Sequence, residues 1–104
     1  MQEVLVRIKR AVLAGHYVFS EKARGEMDAE GLTELDVAES VLNAVAIYKR
    51  LRSRSPLRQH PREYLYIIQS VNLEGVAIYS KGKLVREENV ETYYFFISSK
   101  RALA

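Results

Sequence analysis

The chain contains no cysteine and no tryptophan. Without thiols it can form neither a disulfide nor a thiolate metal site, and a reducing compartment is permitted. Histidine is nearly as scarce: His16 and His60 stand alone and far apart, which argues against a zinc site. Asp28, Glu30, Glu34 and Asp36 lack the spacing of a calcium loop and fit helix surfaces and helix starts. No metal and no cofactor are expected. No apolar run approaches the roughly 20 residues that span a bilayer. The opening MQEVLVRIKRAVLAG is amphipathic and lacks the apolar stretch of a secretory signal. A cytoplasmic protein with no membrane partner is expected. The last scarcity is local: from Ala46 to Arg62 there is not one acid.

That acid-free stretch holds Lys49, Arg50, Arg52, Arg54, Arg58 and Arg62, with His60 among them. Its first part alternates. As an extended strand it would send Tyr48, Arg50, Arg52 and Arg54 to one face, and Ile47 and Leu51 to the other, against a core. A fixed row of guanidinium groups suits phosphates, because the planar fork offers two parallel donors to an oxyanion. The plain alternative is a solvated sheet face. The charge of the whole chain, +3, hides a strong asymmetry. Residues 21–39 carry seven acids against Lys22 and Arg24, a net of −5, while residues 40–86 carry nine bases against Glu63 and Glu74, a net of +7. The basic part calls for a polyanion.

At 104 residues the chain has the size of one domain, read as residues 1–104. Val4, Leu5, Ile8, Val12 and Leu13 define one face of a helix over residues 3–14, stopped by Gly15, with Arg7, Lys9 and Arg10 on its wet side. Residues 16–19 form a short extended piece. Ser20 reads as the N-cap of a helix over residues 21–29, in which Gly25 either weakens the helix or allows close packing. Thr33 caps a third helix that buries Leu35, Val37, Ala38, Val41 and Leu42 and closes at Asn43. The period then changes to two. Strands are predicted over residues 45–54, 62–71, 75–81 and 91–100. Residues 72–75 make a hairpin turn, Lys81-Gly82-Lys83 is a second turn candidate, and residues 84–90 read as irregular. Tyr93, Tyr94, Phe95 and Phe96 read as core. The expected fold is α+β: three helices packed on one face of a mostly antiparallel sheet of four to five strands. The basic stripe should occupy the other, free face.

In this order of elements the chain resembles the small RelE/ParE-like toxins, and among them the motility quorum-sensing regulator type of ribonuclease toxin. The resemblance rests on the opening helix ending in Ala14-Gly15, the extended piece leading through Ser20 into a helix, and the Gly31-Leu32 break. It continues in the third helix ending in Val41-Leu42, the strand Ala46-Ile47-Tyr48-Lys49 and the closing strand Phe96-Ile97-Ser98-Ser99-Lys100. It runs over nearly the whole chain, loosely over residues 62–81. Such toxins cleave messenger RNA without a metal, some of them on the ribosome, and a cognate antitoxin silences them. The resemblance implies an active-site role for Lys49 and a basic role near the C-terminus for Lys100. A tyrosine and a glutamine of the middle strands are also implied, for which Gln69, Tyr66 and Tyr79 are available in uncertain register.

Metal-free RNA cleavage uses the 2′-hydroxyl as nucleophile. It needs a proton acceptor, groups that hold charge on phosphorus and a donor to the leaving oxygen. The candidate catalytic residues are Lys49, Arg52, Lys100, Tyr79 and His60; the candidate RNA-binding residues are Arg50, Arg54, Arg58, Arg62, Lys81 and Arg101. Strict alternation sends Lys49 to the side of Ile47 and Leu51, away from the arginines, unless a bulge changes the phase. Tyr48, Tyr66 and Tyr79 could stack on bases or pack across strands. The alternative to a nuclease is a non-catalytic nucleic-acid- or protein-binding module of the same fold, including a ParE-like toxin directed at a topoisomerase, because a fold does not fix an activity.

Overall fold

A computed structural model describes residues 2–103. Three helices, α1 (Gln2–Leu13), α2 (Glu21–Glu30) and α3 (Glu34–Asn43), lie on one face of a five-stranded sheet. The strands are β1 (Tyr17–Phe19), β2 (Lys49–Arg52), β3 (Tyr64–Val71), β4 (Ala77–Glu87) and β5 (Val90–Arg101), in the spatial order β1-β5-β4-β3-β2. β1 runs parallel to β5 and every other pair is antiparallel. The fold is α+β, as expected.

The helices form where their caps and apolar spacing agree. α1 buries Leu5, Ile8 and Val12 and ends before Gly15, whose φ of 77° only glycine adopts freely. Leu13 lies outside this stripe, 76% exposed. Ser20 accepts a hydrogen bond from the Ala23 N–H and donates one to the Ile97 carbonyl, so a single hydroxyl caps α2 and pins it to β5. Thr33 and Asp36 form a reciprocal capping box at the start of α3. That box turns Leu35 outward, 64% exposed, and Val37, Ala38 and Val41 bury the inner face with Ser40. Gly25 has open space where a side chain would stand, so it marks a weak point of α2 and no close contact.

The sheet shows three departures from the sequence reading. β2 is only four residues long, because the chain bends at residues 45–46 and Ile47 reaches the core before the strand begins. Gly82 does not sit at a turn. It lies inside β4 across from Phe96, where a Cβ would stand 2.6 Å from the Tyr94 ring and 2.7 Å from the Phe95 carbonyl. Glycine is there to let backbone and ring approach. Residues 84–87 are strand, and the reversal comes at Glu88-Asn89, both with positive φ (52° and 65°), the twist that suits a two-residue hairpin.

The two ends of the sheet are finished differently. Beyond the short β1, the free N–H groups of β5 at Ser99 and Arg101 are taken by the carboxylates of Glu26 and Glu30, one turn apart on α2. At the other end β2 is the last strand of the sheet among the described residues. The 72–75 turn is locked by Asn72, which accepts from the Glu74 and Val76 N–H groups and donates to Asp36 on α3. One hydrophobic cluster joins Leu5, Ile8 and Val12 to Val37 and Val41, and these to Ile68, Ile78, Tyr94 and Phe96.

Candidate nucleic-acid interface

Ladder partners directly opposite one another share a face. Tyr66, Ile68, Ile78, Tyr94 and Phe96 point into the helix-side core, so the residues between them point away. On that outward face the register sets Gln69, Tyr79 and Lys100 side by side across β3, β4 and β5. The next row holds Lys49, Ile67 and Lys81. Standard sheet spacings put Lys81 about 8 Å from Lys100 and Lys49 about 10 Å from Lys81, Cα to Cα. The Lys100 ammonium lies 5.4 Å from the centre of the Tyr79 ring. Lys49, Lys81 and Lys100 form no ion pair among the described residues. Lys83, by contrast, is neutralised by Glu63 at 3.0 Å.

Lys49 therefore does face away from Arg50 and Arg52, but in the sense opposite to the one alternation suggested. Lys49 and Leu51 stand on the open face. Arg50 and Arg52 stand on the helix side, across from Tyr66 and Tyr64. The expectation that the arginine row occupies the free face is thereby corrected. The cause is Ile47: it enters the core from the bend before β2, so it does not set the phase of the strand.

Tyr79 has a second neighbour of chemical interest. Burial, and after it the negative charge of Glu26, push its phenol above the ordinary value. It stays protonated at neutral pH and can give up a proton but not take one. The aromatic run of β5 also divides between the faces. Tyr94 and Phe96 are core, whereas Tyr93 and Phe95, paired with Val85 and Lys83, line the outward face and are half-buried.

The remaining candidates do not join this group. On the helix side, where the helices stop short of β2, Tyr64, Tyr66, Arg7, Arg62 and Arg86 line an open cleft of about 670 Å³. The Arg50 guanidinium stacks 4.3 Å from the Tyr64 ring centre. A hydrogen bond from Arg52, with the charges of Arg50, Arg52 and Arg62, holds the Tyr64 phenol below its ordinary value against the opposing effect of burial. His60 lines this cleft too; its Nδ1 accepts the Arg62 N–H at 3.0 Å, so it serves the turn and stands apart from Lys49, Tyr79 and Lys100. Arg54 is exposed beyond the end of β2, and Arg58 donates to the Ser55 carbonyl. Arg101 lies across from Ile78 and donates to Glu30, so it does not share a face with Lys100.

Arg7, expected on the wet side of α1, is half-buried against Glu91 at 2.7 Å. Tyr64 and Arg86 carried no sequence signal of their own; the alternation of Tyr64 and Tyr66 on one face of β3 is the pattern that could have found the first. Among the described residues no three His, Asp or Glu side chains converge as metal ligands, and no helix is long and apolar enough to cross a membrane.

No protein-family model, curated protein or solved structure matches this chain.

Proposed function

We propose that this protein is a metal-independent endoribonuclease acting on messenger RNA, the toxin of a toxin–antitoxin pair. The observation that carries the reading is the pair of neighbouring rows, Gln69–Tyr79–Lys100 and Lys49–Ile67–Lys81, on the sheet face that the helices leave open. Three lysines without an ion pair among the described residues, one protonated phenol and one amide stand there, with Glu26 the acid nearest Tyr79. The resemblance to the RelE/ParE-like toxins names the same residue types, and the register brings Gln69 and Tyr79 beside Lys100.

The chemistry follows from the parts. Attack of a 2′-oxygen on the adjacent phosphorus breaks the bond to the 5′-oxygen and leaves a 2′,3′-cyclic phosphate and a 5′-hydroxyl. Tyr79 donates the proton that the leaving oxygen needs. Lys100 and Lys81 hold the charge that grows on the non-bridging oxygens, and Gln69 adds a neutral donor. The 2′-hydroxyl proton passes to solvent or, where Lys49 has first given up its own proton, to the Lys49 amine. A cognate antitoxin would silence the enzyme by occupying this face.

The test is cleavage. Purified parent, Tyr79→Phe, Lys100→Ala and Lys49→Arg are incubated with a single-stranded RNA in EDTA, and new ends are mapped by primer extension. Removing one charge-stabilising donor is expected to slow cleavage roughly 10²–10³-fold. Lys49→Arg keeps the charge but cannot accept a proton; loss of rate with a changed pH profile assigns the base to Lys49, and an unchanged rate assigns it to solvent. Folded parent that arrests growth without producing RNA ends would sink the nuclease reading in favour of a protein target. Folded parent that does neither would leave a binding module.

A further inference from the structure

We propose that the Tyr64 cleft is a second anchoring site for the phosphates of the same RNA strand, which reaches it from the lysine face by rounding the free edge of β2. The inference rests on the RNA-directed reading above but uses other residues on the opposite face of the sheet.

Three guanidinium groups gather at one tyrosine. Arg52 stands directly across from Tyr64, Arg50 stacks on its ring, and Arg62, in the turn just before β3, acts on the same phenol by its charge. None of the three forms an ion pair among the described residues. Like charges brought together without a counter-charge repel one another, and an anion placed among them removes that repulsion while filling two-pronged donors. The cleft beside them, about 670 Å³, lies within the range of about 300–1,000 Å³ that holds a small organic group, so one nucleotide fits. Arg86 lines it. So does Arg7, whose Nε is buried and has no acceptor among the described residues, a donor left over after its pairing with Glu91. Of the lining acids, Glu63 is matched by Lys83 and Glu91 by Arg7, which leaves Glu88 at the hairpin tip. The Tyr64 ring supplies surface for a base.

The route is set by the edges of the sheet. On the β5 side, β1, Ser20, Glu26 and Glu30 occupy the backbone groups and α2 covers the margin. On the other side β2 is the last strand, with no further strand paired to it among the described residues. Lys49 and Arg50 are consecutive residues of an edge strand and point to opposite faces, one toward each basic cluster. A single strand can turn over that edge and touch both; a duplex is too stiff to do so. The occupant is thus single-stranded RNA on both sides of β2.

The experiment is fluorescence anisotropy with oligonucleotides made wholly of 2′-O-methyl nucleotides, which lack the attacking hydroxyl. A short one (~4 nucleotides) and a long one (~12 nucleotides) span the usual range of single-strand sites. The parent is expected to bind the long one at least tenfold tighter. Arg50→Gln/Arg62→Gln, with a melting curve showing it folded, should bind both lengths alike and lose ~1.4 from its salt slope, ~0.7 for each phosphate contact removed. Arg50→Lys/Arg62→Lys should recover part of the gain. Lys49→Gln/Lys100→Gln should weaken both lengths and keep the gain. An arginine variant that retains the full gain overturns the proposal, as does a duplex that binds with the same gain. So does adenosine 5′-monophosphate if it abolishes the gain at micromolar concentration, which would make the cleft a free-nucleotide site. Because the readout is binding of uncleavable RNA, absence of cleavage by the parent sinks the nuclease reading and leaves this one standing.

Discussion

Gly82→Ala tests the register on which the lysine–tyrosine face depends. Its backbone is not among the positive-φ glycines, so alanine meets no torsional strain there. What it meets is packing: a Cβ 2.6 Å from Cε2 and Cζ of Tyr94 and 2.7 Å from the Phe95 carbonyl oxygen. Neither neighbour gives way easily. Tyr94 is fully buried, edge-on to Phe96 at 5.0 Å, and the carbonyl belongs to the β5 backbone. Overpacking of this kind costs about 1–3 kcal/mol, and two rigid neighbours place it at the upper end. The smaller entropy of the unfolded alanine chain offsets about 0.4–1 kcal/mol. A net loss of about 2 kcal/mol should lower Tm by roughly 8–16 °C in a domain of this size. Urea titration followed by circular dichroism should show a lower midpoint with an unchanged slope. Gly25→Ala is the matched comparison: with open space around it in a helix, it should gain about 0.8–1 kcal/mol. If Gly82→Ala is neutral or stabilising, as at an open turn, β4 does not pass under Tyr94 and the rows built on its register fail with it.

Tyr94 carries a buried hydroxyl with no partner among the described residues, so Tyr94→Phe should hold or raise stability, by up to about 1 kcal/mol. A loss larger than that in the melting curve would mean the hydroxyl is bonded. Glu26→Ala strips the acceptor from the Ser99 N–H and the Ser98 hydroxyl, and should cost about 1–2 kcal/mol and open a strand edge. Unchanged stability together with a monomeric sedimentation profile would contradict the capping role. Burial pushes the Glu63 carboxyl up, but hydrogen bonds from the Gln59 N–H and from Lys83, with the charge of Lys83, outweigh it and hold the carboxyl below its ordinary 4.5. A depressed carboxylate stabilises the fold fully above that value and loses its contribution as pH falls through the folded value. The Tm advantage of the parent over Glu63→Gln should therefore be constant at neutral pH and shrink below pH 4.5; an advantage that persists to lower pH would contradict the assignment.

Local chemistry made the helices legible. The Ser20 and Thr33 caps, the glycines at Gly15 and Gly31 and the spacing of Leu5, Ile8, Val12, Val37 and Val41 act over one or two turns, and each appears in the structure as the sequence implies. The change to period two after residue 45 marked the sheet for the same reason. It did not mark Gly82, because a glycine between two lysines looks like a turn until its partner across the ladder is known. Nor did it mark the Glu88-Asn89 reversal, where the twist of β4 and β5 imposes positive φ on a glutamate.

The sequence by itself determined that residues 46–62 are basic without an acid, that Lys49 alternates with Arg50 and Arg52, and that three helices and one short extended piece precede the antiparallel strands. It left open which side of β2 is which. Alternation fixes only relative direction, and one residue outside the ladder, Ile47, was enough to suggest the wrong phase. The pairing of β2 with β3 decided it, because Tyr66 and Ile68 are buried under the helices and Ile67, Lys49 and Lys81 therefore are not. Only that long-range register brings Gln69, Tyr79 and Lys100 into one row and gathers Arg50, Arg52 and Arg62 around Tyr64 on the reverse. Pairings between residues ten to twenty-one positions apart have no local signature.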